Sequence, residues 1–212
     1  MNKTRIAALI IIILSFIFAA ILYPMMPSKV ASHWNSQGQV DGYMSKFWGL
    51  FLMPFLSLAM FLLFIFLPHI DPLKKNYKDF RSYYEGLILL MIAFLFYVYL
   101  LTIFWNMEAR FSMIQMLVPA FAVLFFYCGL LIEKVKRNWF VGIKTPWTLS
   151  SDKVWDKTHK LGGQLFKAAA VICLIGLFAG QWAIWFTIVP VLIFTIYIYI
   201  YSYLEYRKEK KI

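Results

Sequence analysis

His33, His69 and His159 are the histidines of this 212-residue chain, and Cys128 and Cys173 are its two cysteines. A protein metal centre takes three or four such ligands at set spacings. His33 and Asp41 offer two with no third beside them, and neither an HExxH nor a CxxC pair occurs. Both cysteines lie in apolar runs, where a thiol packs as a small hydrophobe. Hydrolysis would need a nucleophile beside a base, or paired carboxylates, and no apolar run supplies them. The chain does not read as an enzyme, and no metal or cofactor is expected. What remains is the chemistry of recognition. Polar, aromatic and turn-forming residues gather in two stretches, HWNSQGQVDGYMSK from His33 to Lys46 and NWFVGIKTPWTLSSDKVW from Asn138 to Trp155.

The elements that must position those stretches are membrane helices. The chain is 62% hydrophobic with a mean hydropathy of +0.71, against about 45–50% apolar residues in soluble domains. Its apolar residues come in blocks close to the ~20 residues that cross a bilayer as a helix. Six spans are expected, at residues 6–23, 47–67, 87–105, 112–132, 164–180 and 182–204, with a very tight turn at Gly180-Gln181. The fold class is all-α, a polytopic bundle. The first block follows Lys3 and Arg5 as in a signal peptide, but it is longer than the usual ~7–15 apolar residues. No clear small-residue cleavage site follows it, so an uncleaved first span is expected. Pro54, Pro119 and Pro190 fall inside spans and predict kinks.

Charge sets the orientation. Of the 21 Lys and Arg residues, Lys29, Lys46 and Arg110 fall on one side of a six-pass bundle, Lys167 inside a span, and all the others on the opposite side. The positive-inside rule puts that basic side, with both termini, in the cytoplasm. The net charge of +11 then belongs to orientation and to contact with membrane lipids, not to direct nucleic-acid binding. Glu85 and Lys167 lie near cytoplasmic ends, where long side chains snorkel to water. With Gln115, and with two halves of three spans in inverted orientation, they motivate one alternative function, a small-molecule or lipid transporter.

The first loop is external on this topology. His33, Asn35, Asp41, Ser45 and Lys46 are mixed there with Gly38 and Gly42, and Asp41-Gly42 is a turn dipeptide. A self-bonded cap and a recognition surface both fit that composition, while a metal site built from His33 and Asp41 lacks a third ligand. The second loop is cytoplasmic. Thr145 precedes Pro146 and is biased out of the helical region. Ser150 or Ser151 can cap a new helix, with Asp152 at its positive end. Val154, Trp155, Thr158 and Leu161 then share one face, which predicts a short amphipathic helix in the headgroup region before the fifth span. An anchoring segment of that kind leaves the order Asn138, Gly142, Lys144, Thr145, Pro146, Trp147 unexplained.

That order closely resembles the signature of the SdpI family of bacterial membrane immunity proteins. It runs as N-x3-G-I-K-T-P-W-T-L-x5-W from Asn138 to Trp155, with Thr148 inside it. The first loop, H-W-N-x2-G-x2-D-G-x2-S-K, is similar to a small extracytoplasmic domain of unknown function often found before the SdpI region. His33, Asn35, Gly38, Asp41, Gly42, Ser45 and Lys46 carry that likeness. The motifs cover about residues 10–60 and 120–195. The resemblance implies a multi-pass protein of the bacterial cell membrane that protects against a membrane-active peptide toxin on the outer side. It also implies signalling, by holding a cytoplasmic repressor protein at the membrane. No catalytic residues come with it. Three regions are expected: a two-helix unit with the external loop (1–68), a connecting loop with the third span and a short external turn (69–111), and an SdpI-like region with the Thr-Pro-Trp loop and spans four to six (112–212).

Overall fold

The computed structural model describes residues 2–211. Helix α1 (Lys3–Leu22) starts at Asn2, whose side chain accepts the Arg5 N–H at 2.9 Å. A 3-10 turn leads into an antiparallel hairpin, β1 (Lys29–Trp34) and β2 (Val40–Ser45). Helix α2 (Lys46–Ile70) follows, then a 3-10 linker (Lys74–Phe80) and α3 (Arg81–Asn106). After α4 (Met113–Lys134) come a short α5 (Pro146–Ser150), α6 (Asp152–Ile175) and α7 (Ala183–Lys210). Apart from the hairpin the fold is all-α.

Among the described residues five stretches are long and apolar enough to cross a membrane: Lys3–Met25, Lys46–Ile70, Lys74–Asn106, Met113–Lys134 and Asp152–Lys210. The molecule is a multi-pass membrane protein. The fifth stretch has 59 residues and as one helix would run about 90 Å, far beyond the ~30 Å hydrocarbon core. It reverses instead at Gly180, whose φ of 56° and ψ of −123° break the helix and suit glycine alone. α6 and α7 therefore lie antiparallel. Lys157 pairs with Glu205 at one end of the hairpin they form, and Cys173 meets Thr187 at the other.

The short amphipathic helix expected before the fifth span is not a separate element. Its residues are the first turns of α6, capped by the Ser151 side chain. Val154, Trp155 and Thr158 on its apolar face are fully buried, so that face packs on protein instead of lying on lipid. Outward apolar surface is found elsewhere, as at Leu192, Ile193, Ile196 and Ile200 of α7.

Packing is closest between α4 and α6. A Cβ on Gly163 would stand 2.7 Å from the Gly129 carbonyl oxygen, and one on Gly129 equally close to that of Gly163. Paired small residues let membrane helices approach in this way. Glu133 and Lys167 pair across the same contact at 2.6 Å. Arg5 of α1 grips Glu85 of α3 through two bonds, at 2.8 and 2.6 Å. Glu85 and Lys167, expected to snorkel, are thus matched inside the bundle, and a matched charge need not reach water.

Candidate functional site

Asn35 closes the hairpin. Its backbone N–H donates to the Gln39 carbonyl at 2.9 Å, and its Oδ1 accepts the N–H groups of Gln37 and Gln39 at 3.0 Å each. Gly38 sits at φ 78°, the left-handed conformation that glycine adopts without strain. The turn thus falls at residues 35–39, and Asp41-Gly42, expected as a turn, lies within β2. Gly42 faces His33 so closely that a Cβ would stand 2.8 Å from the His33 Cβ. The same cross-strand approach sets His33 Nδ1 2.5 Å from Asp41 Oδ1, with both side chains exposed. Among the described residues no group of three His, Cys, Asp or Glu gathers that could hold a metal. Ser45 stands at the N-cap of α2 without a side-chain bond to it, and the Lys46 ammonium lies 5.3 Å from the Tyr23 ring centre.

Asn106, at the end of α3, docks the hairpin. Its Oδ1 accepts the Ala31 N–H at 2.8 Å and its Nδ2 donates to the Ala31 carbonyl at 3.0 Å. It gives the edge of β1 the partner a neighbouring strand would have supplied. Trp34 meets Trp105 edge to face at 5.5 Å, and the Arg110 guanidinium lies 3.9 Å over the Trp105 ring. Beside them opens a groove of about 650 Å³ lined by Met25, Met26, Tyr43, Trp105, Met107 and Arg110, among others.

At the opposite end, Asn138 is fully buried and organises the loop between α4 and α5. Its Oδ1 accepts from the N–H groups of Phe140 and Val141 at 2.9 and 2.7 Å. Its Nδ2 donates to the carbonyls of Lys136 and Val141 at 2.8 Å each. Thr145 and Thr148 cap α5 reciprocally, each hydroxyl accepting the other's backbone N–H at 3.2 and 2.9 Å. Pro146 fills the first helical position, where no N–H is needed. The Thr145 hydroxyl also lies 3.1 Å from that of Ser202, and the Trp147 ring packs 5.0 Å from both Tyr199 and Tyr203. Trp155 stacks on His159 at 3.8 Å and donates its indole N–H to Val135. Lys144 stays exposed, its ammonium on the Phe140 carbonyl at 3.0 Å.

Asn138, Gly142, Thr145, Pro146, Trp147, Thr148 and Trp155 therefore belong to one packed body. Its other members carried no signal in the sequence. Asp71 accepts the N–H groups of Leu73 and Trp139 at 2.7 and 3.0 Å. Asn76 donates to the Arg137 carbonyl at 2.7 Å, and the His159 ring accepts the Ile143 N–H at 2.9 Å. Asp71 and Asn76 sit some 60 residues upstream of their partners, and no spacing rule joins them. The linker between α2 and α3 and the loop between α4 and α5 form a single hydrogen-bonded unit.

Residues 134–202 match the SdpI/YfhL protein family, and residues 10–58 match DUF1648, a domain of unknown function. Over 211 residues the chain is 28% identical to the "Immunity protein SdpI" of Bacillus subtilis (strain 168), with 97% of each chain covered. No solved structure matches.

Proposed function

We propose that this chain, with its SdpI-family domain, is a six-pass protein of the bacterial cell membrane that gives resistance to a membrane-active peptide toxin. The hairpin end faces outward, and both termini lie in the cytoplasm. The observation that carries this reading is 28% identity along 97% of an immunity protein. The charge asymmetry supports the orientation. The antiparallel α6 and α7 support the sixth pass.

The outer groove suits an amphipathic peptide, because Met25, Met26, Tyr43 and Trp105 present deformable apolar surface beside the charges of Lys29, Glu108 and Arg110. His33 and Asp41 offer exposed polar groups on the same hairpin. The face of the inner body that carries the exposed Lys144 is the surface for a cytoplasmic repressor, and Asn138 and Trp147 hold its shape. A bound peptide shifts that surface only if it binds one of two conformations of the bundle better than the other. Expressed in a toxin-sensitive bacterium, the wild-type chain is expected to raise survival, and Asp41→Ala and Trp147→Ala to lower it. No protection by the wild type would sink the immunity reading. Protection that survives both changes would take the two loops out of the mechanism.

A further inference from the structure

The ends of α1, α2 and α3 enclose a cavity of about 240 Å³ whose walls include Arg5, His69, Lys74, Lys78, Arg81 and Glu85. Four permanent cations there face one carboxylate. That carboxylate is already taken, since Arg5 holds both of its oxygens and Arg81 approaches only to 3.9 Å. Among the described residues the Lys74 and Lys78 ammonium groups have neither a carboxylate nor a hydrogen-bond acceptor. Helix α3 begins at Arg81 with no side-chain cap and no acid in its first turn, so the positive end of its dipole adds to the excess. His69 donates its Nδ1–H to Ile65 and brings no negative charge.

We propose that this cavity binds a phosphate-bearing anion, the headgroup of an anionic phospholipid. Concave cationic surface with unspent donors is what a phosphate requires. The cavity lies where three membrane helices end, the depth of lipid phosphates. Ile6 and Ile10 of α1 and Phe66 and Ile70 of α2 are exposed, continuing from it as apolar surface for acyl chains. The bound lipid would tie α1 to α2 and α3 at the end where the inner body forms. A free phosphate shares the headgroup's chemistry but gains nothing from those apolar flanks.

The test uses the full chain in nanodiscs of phosphatidylcholine with or without phosphatidylglycerol, with retained lipid counted by native mass spectrometry. The variant Lys74→Gln/Lys78→Gln/Arg81→Gln is compared with Lys134→Gln/Lys153→Gln/Lys160→Gln, which removes the same charge elsewhere at that end. Wild type is expected to retain phosphatidylglycerol selectively, and the first variant to weaken retention by about fivefold per charge removed, the effect of one basic group at an anionic surface. Replacing both lysines by arginine is expected to keep it. Equal loss in both triple variants, or no preference in the wild type, overturns the site. Displacement of the lipid by inorganic phosphate overturns the lipid assignment in favour of the free anion.

Discussion

His159 fixes the inner loop through one tautomer. Its Nδ1 lies 2.8 Å from the Trp155 carbonyl, which can only accept, so Nδ1 carries the proton. Nε2 is then free to accept the Ile143 N–H at 2.9 Å. Gly142, just before, has φ 117°, and a Cβ there would stand 2.5 Å from that Nε2. Gly142→Ala is expected to cost about 1–3 kcal/mol, by backbone strain and by displacement of the ring. Denaturant unfolding in detergent would read it. Gly38→Ala, at φ 78° with its nearest neighbour 3.9 Å away, keeps only the strain and should cost about 1–2 kcal/mol. Equal losses at the two sites would mean that the His159 contact contributes nothing. The converse case is Glu108, at φ 72° after the last turn of α3. Glu108→Gly is expected to stabilise by up to about 1 kcal/mol, because the position favours glycine.

Elements are joined by matched charges as much as by apolar packing. The Glu85 carboxylate is only 5% exposed and its Arg5 partner 20%. Glu85→Gln leaves a guanidinium facing other cations and should cost about 3–5 kcal/mol, the usual penalty for breaking such a pair. Removing both charges with Arg5→Met and Glu85→Met should recover much of that loss. A double-mutant cycle on unfolding free energy tests this, and additive losses would rule out direct coupling. The residues expected to form a separate headgroup-level helix are the first turns of α6. A stripe of Val154, Trp155 and Thr158 reads the same whether it meets lipid or another helix. The core in which Trp155 joins Tyr77, Phe80 and Tyr84 decides for protein.

On the scale of the whole molecule, the hairpin and the Asn138 body occupy opposite ends of the bundle. In a chain lacking Cys128 and Cys173, an impermeant thiol reagent added to intact cells is expected to label Asp41→Cys and to spare Lys144→Cys until the membrane is opened. Labelling of both from one side would discard the topology. The two ends are linked through α3, whose last residue Asn106 holds the hairpin and whose first turns carry the Arg5 partner Glu85.

Composition and block length determine by themselves that the chain crosses the membrane repeatedly, because the bilayer requires runs of apolar residues that hydrogen-bond internally. Basic residues between blocks give only an expected orientation, while the spacing from Asn138 to Trp155 marks a loop of defined shape, since each of its turns and caps is local. Tertiary structure alone decided what those local features touch. It placed the hairpin turn at residues 35–39, joined Asp71 and Asn76 to a loop some 60 residues away, and paired Glu85 with Arg5 and Lys167 with Glu133. Such contacts depend on which helix faces lie together, and helix periodicity fixes a face without naming its partner.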